Sequence, residues 1–172
     1  MGLYTDPCSK GVYRVLNEAW RNVNHGKDSP VRCDDGFNGE WYRFMGPAGS
    51  VMPTQRPATP HICGAESPMW MNGTHPTPAD GVVFRQVCNY WYGSPCEREV
   101  TIHVKACPAG FYVYKLPAAP FCWLVYCGET VCGRCLGGEV NCNPVSDVCS
   151  AGCQDGWKTH VQLCKENGLI KA

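Results

Sequence analysis

Residues 68–76 read Pro68-Met69-Trp70-Met71-Asn72-Gly73-Thr74-His75-Pro76, which places three large apolar residues directly before a glycosylation acceptor. Asn72-Gly73-Thr74 is the only Asn-x-Ser/Thr triplet of the chain. Such a triplet is glycosylated only where it is accessible at the surface of a secreted protein, and glycine and proline suit the turn that makes it accessible. The stretch therefore predicts a secreted or extracellular protein that is glycosylated at Asn72.

The cysteine content agrees with that compartment. Fourteen of the 172 residues are cysteine, a proportion typical of small secreted proteins that are held together by disulfides. The number is even, so in an oxidising compartment every thiol has a possible partner. Each bridge contributes about 2–4 kcal/mol to stability. We therefore expect disulfides to stabilise the fold where a chain this rich in glycine and proline builds only a small core.

Charge and hydropathy exclude two classes of partner. Fifteen basic and fifteen acidic residues cancel, so no net field attracts nucleic acid or an anionic membrane. The longest apolar run, residues 121–127, is far shorter than the roughly 18 residues of a membrane-spanning helix. Residues 1–7 lack the basic start and apolar stretch of a signal peptide. We expect no nucleic-acid partner, no membrane insertion, and a signal that has already been removed.

The hydrophobic pattern predicts a mainly β fold. Val100, Ile102 and Val104 alternate with polar residues, as in an antiparallel strand with one face in water. Further strands are predicted at 39–45, 81–87, 112–116 and 121–127, and a loop at 46–62. The spacing of Val15, Leu16, Ala19 and Trp20 predicts one short helix.

The chain changes character after residue 128. Residues 132–164 hold six cysteines and few apolar side chains, which predicts a small second unit that is held by disulfides. We therefore divide the chain into domains at 1–129 and 130–172.

The order of landmarks along residues 6–128 resembles the uromodulin-like family of cysteine-rich modules. The matching runs are Asp6-Pro7-Cys8, Leu16-Asn17-Glu18-Ala19-Trp20-Arg21, Cys33-Asp34, Gly39-Glu40-Trp41-Tyr42-Arg43-Phe44, Met52-Pro53-Thr54, residues 68–76, Asp80-Gly81-Val82-Val83, Val104-Lys105-Ala106-Cys107-Pro108, Tyr112-Val113-Tyr114 and Val125-Tyr126-Cys127. The Asn-Gly-Glu-Trp-Tyr and Met-Pro-Thr runs are similar in particular to a liver member of the family that carries a zona pellucida domain. Family modules usually carry ten cysteines. This one has eight, because Gln55 and a residue beside Cys96 replace two that are bonded to each other in the family.

Eight cysteines permit 105 pairings, among which the residues alone do not choose. The resemblance implies Cys8–Cys107, Cys33–Cys122, Cys63–Cys127 and Cys88–Cys96.

The last six cysteines resemble the EGF-like unit that follows the module in the family. The resemblance implies the pairs Cys132–Cys142, Cys135–Cys149 and Cys153–Cys164. Calcium binding is not expected, because Glu129 is the only carboxylate just ahead of Cys132 and Ca²⁺ needs six or more oxygen ligands.

Two other interpretations of these cysteines remain. Cys132-Gly133-Arg134-Cys135 has the spacing of a redox motif, although no βαβ pattern surrounds it. Cys132, Cys135, Cys149 and Cys153 also fit tetrahedral zinc in a reducing compartment. Disulfides remain the prediction, with no metal and no cofactor.

Catalytic patterns are sparse. His25, His61, His75, His103 and His160 are scattered without ligand or triad spacing, and no nucleophile elbow or phosphate-binding loop is present. His75 beside Pro76 is interpreted as part of the turn. A secreted enzyme stays an alternative, because triads meet in space rather than in sequence.

The predicted function is therefore a non-catalytic extracellular binding or scaffolding module. In the family the module forms an arm of polymerising mucosal glycoproteins, and its high-mannose glycan serves as a decoy for bacterial adhesins. The family's acceptor positions are replaced here by Lys115-Leu116-Pro117 and Ser9-Lys10-Gly11-Val12, so that Asn72 alone remains. The resemblance thus implies an adhesin, another extracellular protein or a carbohydrate as partner.

The alternative binding function is that of a lectin-like or toxin-like protein. Its candidate ligand contacts are the aromatic side chains of Trp70, Trp91 and Trp157, unless these pack in the core instead. The oligomeric state is left open by the sequence.

Overall fold

The computed structural model describes residues 5–130 and, beyond them, the backbone of two short strands. One mixed sheet dominates the described part, which confirms the prediction of a small, mainly β, disulfide-rich fold. Its strands are β1 (Tyr13–Leu16), β2 (Asn38–Phe44), β3 (Ser67–Asn72), β4 (Val82–Asn89), β5 (Glu99–Cys107), β6 (Phe111–Pro117) and β7 (Leu124–Tyr126), in the order β1-β2-β6-β5-β4-β3-β7.

The centre of the sheet is antiparallel. β5 pairs with β4 from Val82↔Lys105 to Cys88↔Glu99, and with β6 from His103↔Lys115 to Cys107↔Phe111. Ile102, Val104 and Ala106 are fully buried, whereas the side chains between them reach the other face. The alternation seen in the sequence therefore corresponds to a strand with one buried face.

Both edges of the sheet are parallel, whereas the alternating pattern predicted antiparallel pairing. β1 pairs with β2 in parallel, from Tyr13↔Trp41 to Leu16↔Phe44. β7 pairs with β3 in parallel, from Ser67↔Leu124 to Met69↔Tyr126. Strands that pair in parallel are joined by long connections, so no local sequence pattern predicts the pairing.

The predicted short helix was also wrong. Val15 and Leu16 belong to strand β1, and Ala19 and Trp20 form a single 3-10 turn, Ala19–Arg21. Pairing with β2 satisfies the backbone of β1, and it leaves Val15 exposed while Leu16 enters the core. The other helical elements within residues 5–130 are the 3-10 turns Gly46–Ala48 and Pro78–Asp80. No helix among the described residues is long and apolar enough to cross a membrane.

In the stretch 68–76, the residues up to Asn72 belong to strand β3, and the turn follows them. β3 runs to Asn72 between β4 and β7, with Met69 and Met71 buried in the core. The chain leaves the sheet only at Gly73. The predicted turn therefore begins later than the flanking prolines indicated, because an inner strand accommodates Pro68 at its start.

The sheet curls around one main core. The largest fully buried side chains are those of Phe44, Met52, Met69, Met71, Ile102, Tyr114, Leu116, Leu124 and Tyr126. The chain after β7 meets the end of β2, because Gly128 lies against Ala48 and Phe44. This contact joins β7, the last strand of the order, to β2, the second.

A buried ion pair fastens the same region. Arg21 and Asp34, which both lie in runs that carry the family resemblance, form two hydrogen bonds of 2.6 and 3.0 Å. Asp34 also accepts a 2.8 Å hydrogen bond from the backbone N–H of Tyr126. Burial raises the pKa of Asp34, while Arg21 opposes that shift. The pair holds the chain before β2 against β7, and breaking it would leave a buried charge unpaired.

Four disulfides are present among the described residues. They join Cys8 to Cys107, Cys33 to Cys122, Cys63 to Cys127, and Cys88 to Cys96. These are the pairs that the family resemblance implies. Three of them close loops of 64 to 99 residues, and Cys88–Cys96 closes one of 8.

The predicted second unit, at 130–172, lies largely outside the described residues. Its described part is one antiparallel pair, β8 (Cys142–Asn143) with β9 (Val148–Cys149), in which Cys142 is opposite Cys149. The EGF-like prediction and its three disulfides therefore stay predictions.

Candidate functional site

The glycosylation acceptor lies at the end of β3. Asn72, Gly73 and Thr74 are all exposed, although the rest of β3 is buried. Gly73 has a φ of 147°, and a side chain there would come within 3.0 Å of Arg85. Arg85 in turn donates a 2.7 Å hydrogen bond from Nε to the carbonyl of Thr74. The triplet is therefore accessible, and its backbone is held in one place.

His75 anchors the chain just beyond the acceptor. Its Nε2 lies 2.8 Å from the hydroxyl of Tyr114, and that hydroxyl accepts a hydrogen bond from the backbone N–H of Met52. The hydroxyl still has its one proton to donate, and a neutral imidazole accepts it at Nε2. Burial, helped by the charge of Arg85, lowers the pKa of His75 to about 4. His75 is thus a neutral acceptor inside the fold rather than a base at a surface site.

The three tryptophans chosen as candidate ligand contacts differ in position. Trp70 is only 8% exposed, and its Nε1 donates a 3.0 Å hydrogen bond to the carbonyl of Pro95. It therefore packs in the fold and presents no face to a ligand. Trp91 is half-buried and lines a cleft. Trp157 lies outside the described residues.

The cleft lies at the start of β3, at the end of that strand away from Asn72. It encloses about 370 Å³ between the chain before β3, the hairpin that follows β4 and the loop before β7. Three of its lining residues are aromatic, Trp91, Phe121 and Trp123, and four are polar, Glu66, Asn89, Glu97 and Arg98. We call this the aromatic cleft.

Two of the aromatic rings stack on each other and stay partly exposed. Phe121 and Trp123 stack with their planes 3° apart and their centroids at 5.2 Å, and they are 39% and 47% exposed. The Arg98 guanidinium lies 5.6 Å from the Phe121 centroid. The sequence reasoning missed both rings, because it assigned the whole run 121–127 to a strand. Only Leu124–Tyr126 is one. The signal present in the sequence was Pro120, which lies in the loop between β6 and β7 just ahead of the two aromatics.

The polar groups of the aromatic cleft are fixed in position. Asn89 is buried, and it hydrogen-bonds to Ser67 Oγ, to Glu97 Oε2 and to the backbone N–H of Arg98. It thereby fixes the 97–98 segment against the strands. Glu66 accepts a 2.9 Å hydrogen bond from Lys27 Nζ, which lowers the pKa of Glu66, and its other oxygen contacts His61 Nε2 at 2.9 Å. Its carboxylate is therefore ionised at neutral pH.

Two groups of potential metal ligands occur among the described residues. They are Cys33 with Asp35 and Cys122, and Cys88 with Cys96 and Glu99. In each group the two cysteines are bonded to each other. Zinc requires deprotonated thiolates, so neither group is a zinc site as it stands.

The fold and these surfaces define a class of protein, a disulfide-stabilised extracellular β domain. Residues 42–128 match the family model described as uromodulin-like, D8C domain. The chain is 40% identical to mouse uromodulin over 152 residues, which is 87% of this chain and 23% of that protein. It is 41% identical to the dog pancreatic secretory granule membrane major glycoprotein GP2 over 124 residues, 72% of this chain and 23% of the relative. The human GP2 is 39% identical over 122 residues.

The chain belongs to the uromodulin-like D8C domain family. It spans less than a quarter of the length of these relatives. The four disulfides within residues 5–130 require an oxidising compartment. The name of GP2 places that relative in a secretory granule. The domain is therefore a secreted or extracellular one.

Proposed function

We propose that the chain is a non-catalytic module of a longer secreted glycoprotein and that it presents an N-linked glycan at Asn72 to glycan-binding proteins outside the cell. The observation that carries the proposal is the exposure of Asn72, Gly73 and Thr74 at the end of a strand whose other residues are buried. The membership in a family of extracellular glycoproteins supports it.

The acceptor stands on a rigid support. β3 pairs with β4 on one side and β7 on the other, and disulfides join the ends of both neighbours to other parts of the chain. A glycan attached there would have a fixed attachment point and a free outer end. Such a geometry suits recognition by a separate lectin, and mannose-specific microbial adhesins are the partners that we propose.

A binding role also fits the environment of three described histidines, His25, His61 and His75. His61 contacts the carboxylate of Glu66, which is shared with Lys27, and His25 contacts Asp28, which is shared with Arg32. His75 is neutral and faces the core. These contacts explain the histidines as structural residues. The proposed role needs no cofactor.

The test compares secreted wild-type protein with Asn72→Gln and Thr74→Ala, which remove the acceptor in two different ways. Asn24→Gln is the matched control, because Asn24 is exposed and outside any acceptor triplet. We expect both acceptor variants, and not the control, to lose the mass of one glycan and to lose binding to an immobilised mannose-specific adhesin. Wild-type protein without a glycan at Asn72, or equal adhesin binding by Asn72→Gln, would contradict the proposal.

For residues 130–172 we propose an EGF-like unit with the pairs Cys132–Cys142, Cys135–Cys149 and Cys153–Cys164. We also propose that the intact protein is related in particular to the liver zona-pellucida-domain protein called oncoprotein-induced transcript, on the strength of Asn38-Gly39-Glu40-Trp41-Tyr42 and Met52-Pro53-Thr54. Peptide mapping of secreted, unreduced protein tests the pairing. Free thiols or a bound zinc ion in this segment would count against it.

A further inference from the structure

We propose that the aromatic cleft binds a neutral carbohydrate, with one pyranose ring stacked on the exposed face of Trp123. The sugar belongs to another molecule, so this activity is separate from the presentation of a glycan at Asn72. It makes the domain a receptor for glycans as well as a carrier of one.

The apolar half of the argument rests on the two parallel rings. Phe121 and Trp123 stack on each other and stay partly exposed, and Trp91 forms another part of the wall. Large aromatic side chains that cluster at a surface mark binding sites more often than isolated ones do. One face of a pyranose consists of C–H groups, which pack against such a ring as other apolar groups do.

The polar contribution to binding comes from the groups around these rings. The carboxylates of Glu66 and Glu97 accept hydrogen bonds only, and the guanidinium of Arg98 only donates them. Sugar hydroxyls do both, so neighbouring hydroxyls can satisfy both kinds of group at once. A cleft that combines aromatic walls with a few fixed polar groups is typical of small-molecule sites, whose volumes are about 300–1,000 Å³. This cleft, at about 370 Å³, has room for a small saccharide.

The charges of the cleft favour a neutral ligand over an ion. Glu66 is already compensated by Lys27, and Glu97 is adjacent in sequence to Arg98. A cation entering the cleft would meet the guanidinium of Arg98, and an anion would meet two carboxylates. Neither sign of charge finds a complementary surface.

The cleft is held in shape before any ligand arrives. Cys122, which lies between Phe121 and Trp123 in the sequence, is bonded to Cys33. Cys88–Cys96 closes the hairpin that carries Trp91. Asn89 fixes the 97–98 segment through its three hydrogen bonds. A site whose groups are already ordered loses less conformational entropy on binding.

The test uses the full chain with Asn72→Gln, so that its own glycan cannot occupy the cleft. This protein is applied to a glycan array, and the best neutral glycan is then titrated while tryptophan fluorescence is recorded. Into the same background we introduce Trp123→Ala, Trp123→Phe and the control Phe84→Ala. Phe84 is 65% exposed on β4 and does not line the cleft.

We expect a neutral glycan to bind the Asn72→Gln protein and its Phe84→Ala variant equally. Trp123→Ala should raise the Kd at least about tenfold, and Trp123→Phe should raise it less, because a ring remains. Far- and near-ultraviolet circular dichroism shows whether Trp123→Ala keeps the fold. An array without hits, binding limited to charged glycans, or an unchanged Kd in a folded Trp123→Ala protein would overturn the proposal.

Discussion

At the scale of single residues, His75 makes the stability of the fold depend on pH. Its pKa in the folded protein is about 4, below the ordinary value near 6.5. Between these two values the unfolded chain binds a proton that the folded chain does not, so stability falls as the pH is lowered. The full contribution is present above about pH 6.5, and roughly 3 kcal/mol of it is lost by about pH 4.

Denaturant unfolding at pH 7 and pH 4.5 measures this loss. His75→Gln is the informative variant, because its side-chain oxygen can still accept the hydrogen bond from Tyr114 but does not titrate. We expect its stability to change less over the same interval. Glu129, whose pKa burial raises, acts in the opposite sense in both proteins and cancels in the comparison. An identical pH dependence for the two proteins would show that His75 is not the group responsible.

At the scale of elements, the sequence predicts strands best where one face of the strand is exposed to solvent. β5 follows from its alternation, and β2, β4 and β6 lie close to their predicted bounds. β1 was missed because its residues Val15 and Leu16 share a helical spacing with Ala19 and Trp20. Only pairing with the distant β2 makes Tyr13–Leu16 a strand. The aromatic cleft was missed because three separate segments form it. Phe121 is only two residues from Trp123, but Trp91 joins these rings only once β3, β4 and β7 are assembled.

The contact that joins the end of β7 to the end of β2 is possible because Gly128 has no side chain. A Cβ at Gly128 would clash with the carbonyl oxygen of Ala48 and come within 2.8 Å of the Phe44 ring. Gly128 also hydrogen-bonds with Arg21 and Val23 through its backbone, so it cannot easily move away. We expect Gly128→Ala to lower the free energy of unfolding by about 1–3 kcal/mol, the range for overpacking.

Gly36→Ala is the matched control, because a Cβ at Gly36 would meet open space and the residue needs no positive φ. Thermal and denaturant unfolding of the two variants side by side measures the difference. Equal stability of both variants would mean that the chain after β7 shifts freely, and that this contact does not fasten the sheet.

At the scale of the whole molecule, the disulfides differ greatly in how much of the unfolded chain they restrain. Cys8–Cys107 spans 99 residues and Cys88–Cys96 spans 8. In the chain-entropy treatment, closing these loops contributes about 4.7 and about 2.5 kcal/mol respectively. The two bonds are otherwise well matched, because each joins one fully buried cysteine to one that is half-buried. Replacing both partners by alanine therefore creates similar cavities and isolates the effect of loop length.

We expect the variant with Cys8→Ala and Cys107→Ala to lose about 2 kcal/mol more than the variant with Cys88→Ala and Cys96→Ala, as measured by denaturant unfolding. The short loop is the one that carries Trp91 and one wall of the aromatic cleft, so its bond should matter more for ligand affinity than for global stability. If both variants lose equal stability, native packing rather than the unfolded chain sets the contribution of these bonds. The long bridges would then no longer be the main reason that this small sheet stays folded.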